Sequence, residues 1–123
     1  MWLLFLFRKW SLRKMISADD IKAAFDALLE ADEEMYKAEE ARIEAAQARE
    51  KAYLAAVEEA ISDGVADPAR QQQRANKATR KQLTVLHQKE KAARAAQHKF
   101  RRAGMAVDSL KTQLEAEKLA KMG

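Results

Sequence analysis

From Ile21 onward, apolar residues return once per helical turn. Ile21, Phe25, Leu28, Tyr36, Ile43, Ala46, Leu54, Val57 and Ile61 form one stripe, with Asp32, Glu39 and Glu50 filling its gaps. These twelve positions span 40 residues, a period close to 3.6 and far from the strand period of 2. The pattern predicts one long amphipathic helix. Its start is marked by Ser17-Ala18-Asp19-Asp20, where the Ser17 hydroxyl and the Asp20 carboxylate can cap each other's backbone amides. Ile16 and Ile21 bracket that cap as a hydrophobic staple. Its end is marked by Ser62-Asp63-Gly64, with Gly64 placed for a left-handed cap. Helix 1 is therefore expected over residues 17–63.

A second start follows at once. Asp67 is an N-cap residue, and Pro68 suits the first helical position, where its missing N–H costs nothing. A turn of residues 64–67 leads into a helix predicted over 68–122. Within it Leu86, Ala93, Phe100, Val107 and Leu114 repeat every seven residues, and Ala96, Ala103 and Leu110 fall three residues after members of that series. Gly104 is a glycine inside this helix, marking a close helix contact, a bend or a tolerated glycine. So short a connection predicts antiparallel neighbours. The fold class expected is all-α: a long antiparallel two-helix hairpin, coiled-coil-like, completed by oligomerisation or by docking on a larger assembly.

Composition sharpens this picture. The 123 residues include 26 alanines, with only 3 glycines, 1 proline and no cysteine. Such usage favours long helices and leaves too few turns for a many-stranded fold. Without cysteine there is no disulfide scaffold, no thiol nucleophile and no cysteine-ligated zinc. An alanine-rich seam also buries little area per turn, which is the reason to expect further helices.

Charge divides the chain into three. Residues 1–16 carry four bases and no acid, residues 17–63 carry 14 acids against 5 bases, and residues 64–123 carry 5 acids against 14 bases. An acidic helix followed by a basic one predicts mutual pairing. Folding at residues 65–66 matches positions whose numbers sum to about 131. Glu50 then faces Lys81, Glu40 faces Lys91, and Asp20 faces Lys111.

Candidate chemistry is sparse. His87 and His98 lie about 16 Å apart along a helix, too far to share a metal, so they read as a solvated face. Three scattered glycines make no phosphate loop. No cofactor, metal ligand, catalytic residue or small-molecule substrate is predicted, and an enzyme is not expected. The expected protein interface comprises Ile21, Phe25, Leu28, Tyr36, Ile43, Leu54, Val57 and Ile61 with Leu86, Phe100, Val107, Leu110 and Leu114. Its partner is another copy of the chain or a larger assembly, of the kind that phages and plasmids build with small accessory proteins. The alternative is a nucleic-acid-binding module. Arg70, Arg74, Lys77 and Lys81, spaced i, i+4, i+7, i+11, would neutralise phosphates, although no stacking aromatics accompany them.

The N-terminus adds one more option. Trp2, Leu3, Leu4, Phe5, Leu6 and Phe7 form an apolar run, followed by Arg8, Lys9, Trp10, Arg13 and Lys14. Six residues cannot span a bilayer, and the charges follow the run where a secretory signal has them first. Residues 1–14 therefore read as an anchor to an anionic membrane surface, a plug for a partner protein, or an incidental extension before Met15. The location expected is cytoplasmic, with peripheral membrane attachment as the alternative.

Overall fold

The fold is laid down by its caps. In the computed structural model, which describes residues 16–122, the Asp20 amide donates to Ser17 Oγ at 3.1 Å and the Ser17 amide donates to Asp20 Oδ2 at 3.0 Å. This reciprocal box satisfies two amides at the start of α1, which runs Ala18–Ser62. At the other end the Gly64 amide donates to the Ile61 carbonyl and the Val65 amide to the Ala60 carbonyl, both at 3.0 Å. That pair of bonds is a Schellman termination. It requires a left-handed residue, and Gly64 has a φ of 87°.

Next, α2 (Pro68–Ala78) opens with Asp67 accepting from the Ala69 amide at 3.1 Å and Pro68 in the first turn. The Gln71 side chain donates to the Val65 carbonyl at 2.7 Å and ties the turn to the helix it precedes. α3 (Arg80–Met122) follows after a single residue.

That single residue departs from the sequence expectation of one helix over 68–122. Thr79 has φ −106° and ψ 17°, and it is buried. Its hydroxyl donates to the Ala75 carbonyl at 2.8 Å while its amide donates to the same oxygen at 3.0 Å. Thr84 and Thr112 make the same back-bond inside unbroken α3, so the interruption lies in the backbone dihedrals of buried Thr79 and not in the hydroxyl bond alone. Gly104, by contrast, sits within continuous α3. An added Cβ would meet nothing within 4 Å, so neither a close contact nor a helix end explains it.

The described residues are nearly all helical: helices of 45, 11 and 43 residues, and no strand. They form two compact units, one of the residues up to Glu33 with those from His98 onward, the other of residues Glu34–Gln97. In the first unit, the Ile16 amide donates to Glu117 Oε1 at 3.3 Å, joining the start of α1 to the last turns of α3. In the second unit, Arg74 of α2 pairs with Asp63 across the turn. Ala45 and Ala48 of α1 there share a groove with Lys81, Gln82 and Val85 of α3, compatible with a helical hairpin.

Burial is thin throughout. Among the described residues the buried ones are Ala31, Ala60, Ala75, Ala93, Val107 and Thr79, and no large side chain is fully buried.

Candidate functional site

The covered face of α1 coincides with the predicted stripe only in part. Among its covered positions, Ile21, Ala24, Leu28, Ala31, Met35, Ala38, Arg42, Ala45, Arg49, Ala52 and Ala56 alternate three and four residues apart, and Glu39, Ala41, Ala46, Tyr53, Val57 and Ala60 are covered beside them. The alternating series has a mean spacing of 3.5 residues, against 3.6 for a straight stripe. Of the residues proposed for the interface on α1, Ile21, Leu28 and Val57 are half-buried, whereas Phe25, Tyr36, Ile43, Leu54 and Ile61 are exposed. Tyr36 is 66% exposed and Leu54 56%, while Ala31 and Ala60 are at 1% and 0%. Tyr36, Ile43, Leu54 and Ile61 are turned outward, whereas Ile21, Leu28, Met35, Tyr53 and Val57 are half-covered beside the alanines.

On α3 the heptad series lies on the covered side. Val107 and Ala93 are buried, and Leu86, Phe100, Leu110 and Leu114 are half-buried. The exposed large apolar residues of α3 are Val85, Met105, Leu119 and Met122.

In the second unit, the outward residues of α1 make the candidate site. Tyr36, Ile43, Leu54 and Ile61 fall within roughly 40° of one another at about 100° per residue. Gln47 completes the same line. Exposed carboxylates Glu40, Glu44, Glu50 and Glu58 flank it, with Lys37 and Lys51 as exposed cations among them. An apolar strip with charged margins is an arrangement suited to holding another helix, and it offers no group poised for covalent chemistry.

A second feature escaped the periodicity reading. Arg42 and Arg49 occupy the same heptad position as Leu28 and Met35, seven residues apart. The Arg42 guanidinium holds both Glu39 carboxylate oxygens, with Nε donating at 3.1 Å to each. That hydrogen bond holds the Glu39 carboxyl below its ordinary range and raises Arg42, with Glu90 adding a smaller field. Arg94 lies 3.7 Å from Glu90, and together with Ala93 and Gln97 these residues line an open polar groove of about 460 Å³. Further along, the Arg49 guanidinium lies 5.5 Å from the centre of the Tyr53 ring. Arg49 Nε and Gln82 Oε1 are buried without a hydrogen-bond partner. The signal for this layer was present in the series Ile21, Leu28, Met35, Arg42, Arg49, Ala56, which arginine interrupts.

The anticipated cross-helix ion pairs fare differently. Glu50–Lys81, Glu40–Lys91 and Asp20–Lys111 do not pair. Long surface side chains gain too little from an exposed pair to hold one geometry. Local partners win: Glu39–Arg42 and Glu90–Arg94 lie within one helix.

The basic residues proposed for nucleic acid are all exposed: Arg70, Arg74 and Lys77 lie on α2, with Arg74 paired to Asp63, and Lys81 lies beyond Thr79, lining a groove with Ala45 and Ala48. Residues Trp2, Leu3, Leu4, Phe5, Leu6, Phe7 and Trp10, proposed as an anchor, lie outside the described residues. Among the described residues no helix is long and apolar enough to cross a membrane, and no three acidic, histidine or cysteine side chains converge on a metal-binding geometry.

No known protein family, curated protein or solved structure matches this chain.

Proposed function

We propose that the chain is a non-enzymatic helical-hairpin interaction protein, an antiparallel, coiled-coil-like pair that self-associates or serves as an adaptor in a larger assembly. The observation that carries this reading is the outward placement of Tyr36, Ile43, Leu54 and Ile61 while alanines face inward. A chain that built its fold for its own sake would bury its largest apolar side chains, each worth ~1.5–3 kcal/mol on full burial. Here that burial is left for a partner.

The antiparallel register supports the same reading. Ala45, Ala48, Lys81, Gln82 and Val85 line one groove, and their cross-helix sums run from 126 to 133, around the 131 that folding at residues 65–66 implies. In the register of 131, Leu86 of α3 comes opposite Ala45 of α1 in the second unit. In the first unit, Phe100 and Val107 come opposite Ala31 and Ala24. Bulky side chains from one helix then fill the room left by alanines of the other, which is knobs-into-holes packing with unequal partners.

Sedimentation equilibrium of the full chain beside its Ile43→Ser/Leu54→Ser variant tests the reading. The expected result is concentration-dependent association or limited solubility in the parent, both relieved in a variant that keeps its helical circular dichroism. A monomeric parent with the same solubility ceiling as the variant would sink it.

A further inference from the structure

The outer stripe of α1 also carries information about what covers it, because its margins are charged. Within the unit of residues 34–97, the carboxylates of Glu40, Glu44, Glu50 and Glu58 border the Tyr36–Ile43–Leu54–Ile61 line and outnumber the exposed bases there, Lys37 and Lys51. A second copy is a poor occupant on two counts. Stripe against stripe would set these carboxylates against their own counterparts, and like charges across an interface disfavour the pairing. The outward side of α2 and α3 in this unit has the right charge but not the right surface. Lys81, Thr84, Gln88 and Lys91 are exposed there, and Val85 is the sole exposed large apolar side chain of that unit outside α1.

Resting on the interaction reading above, we propose that this stripe is a docking site for a cationic amphipathic helix of another protein, one whose apolar face is bordered by lysine or arginine. The apolar residues recur at positions 36, 43, 54 and 61, on the line a single helix would follow when laid along α1. Leucine-sized anchors at i, i+7 spacing on the incoming helix meet Tyr36 with Ile43, and Leu54 with Ile61. The bordering cations meet the glutamates at the rim, where they select the partner and speed its arrival more than they tighten it. Gln47, midway, leaves a polar position that fixes how far along the stripe the partner sits.

The test uses the full chain and two fluorescein-labelled synthetic peptides of 18 residues. Both carry the same leucine face, one bordered by lysines and the other by glutamates, and binding is read by fluorescence anisotropy. The lysine-bordered peptide should bind at least about tenfold more tightly than the glutamate-bordered one, with the gap narrowing as salt rises. Leu54→Glu, at a position already exposed, should keep the helical circular dichroism and weaken the lysine peptide by about tenfold or more. Glu40→Lys/Glu44→Lys/Glu50→Lys/Glu58→Lys should reverse the preference between the peptides. Equal binding of both peptides, or binding unaffected by Leu54→Glu, overturns the proposal. A homodimer that Leu54→Glu dissolves, with neither peptide bound, also overturns it by assigning the stripe to a second copy. In that case the broader interaction reading survives. A monomer that binds neither peptide and is unaltered by Leu54→Glu removes both.

Discussion

Helices α1 and α3 are of nearly equal length, 45 and 43 residues, yet they dispose of their regularly spaced large apolar side chains differently. On α3 the seven-residue series from Leu86 to Leu114 is covered, and Val107 is buried outright. On α1 the covered line is mostly alanine, and the large residues at 36, 43, 54 and 61 face away from it. The difference teaches that hydrophobic size and hydrophobic position are separate variables in a paired helix. The covered positions of α3 carry volume, whereas many of those of α1 carry alanine, and four large side chains of α1 are left on a surface.

The sharpest way to break this comparison is to place a charge where volume is supplied. Val107→Asp puts a carboxylate at a site only 5% exposed. It should cost about 3 kcal/mol or more, because no buried cation stands ready to pair with it. Thermal unfolding followed by circular dichroism would register a drop of many degrees. A change of one or two degrees would mean that the covered face of α3 is not a packed face.

The second test sets the two faces of α1 against each other. Ala31→Leu or Ala60→Leu, enlarging residues that have no room, should cost about 1–3 kcal/mol by overpacking. Leu54→Ala or Ile43→Ala, truncating far larger side chains on the outer face, should leave the stability of an isolated chain within about 0.5 kcal/mol. Chemical denaturation of the four variants at low protein concentration gives the ranking. If truncating Leu54 hurts more than enlarging Ala31, the inward and outward assignments of α1 are reversed.

That pair of variants also shows what was legible beforehand. The caps at Ser17, Gly64 and Asp67 are local chemistry, and local chemistry reads directly from residue types: each forms the hydrogen bonds its spacing implies. The α3 series was legible because its large residues and its covered positions coincide. On α1 they do not coincide. Weighting by size selects the 3.6-residue line through Tyr36, Ile43, Leu54 and Ile61, whereas packing against another helix selects the 3.5-residue line through Ala31, Ala38, Ala45 and Ala52. Alanine is common on every side of this helix, so its presence on one face carries little signal. Arg42 and Arg49 obscured the inward line further, since a charged residue reads as surface until its aliphatic stem is seen to cover a neighbour. The bend at Thr79 was hidden for a different reason. A single threonine is tolerated in most helices, as Thr84 and Thr112 are within α3, so residue type alone does not mark Thr79 as the interruption.

The Thr79 bend is open to a smaller test. Thr79→Val keeps the shape of the side chain and removes the hydroxyl that competes for the Ala75 carbonyl. The stability change should stay within about 1 kcal/mol, because one modest hydrogen bond is lost. The informative readout is local: backbone carbon chemical shifts at residues 78–80 should stay where they are, since the same back-bond leaves Thr84 and Thr112 helical. A move toward helical values would assign the bend to the hydroxyl.

The smallest effect concerns the first turn of α1. The Ser17 amide hydrogen bond and, after it, the Ser17 side chain hold the Asp20 carboxyl below its ordinary range. A carboxylate depressed in the folded chain adds stability that is fully present above its unfolded pKa and fades as pH falls through the folded one. Acidification below the usual aspartate range should therefore loosen the start of α1 while the turn at Gly64, built from backbone bonds, stays closed. Amide exchange of residues 18–21, compared at pH 6 and at a pH low enough to protonate Asp20, would measure it. Asp20→Asn should flatten that pH response, and Ser17→Ala, which removes the partner hydroxyl, should cost about 1 kcal/mol at neutral pH. Glu39 is depressed in the same direction through Arg42, so Glu39→Gln is the control that assigns the response to the cap. If Asp20→Asn leaves the acid-induced loosening in place while Glu39→Gln abolishes it, the first turn depends on the α1 side-chain pairs and not on its capping box.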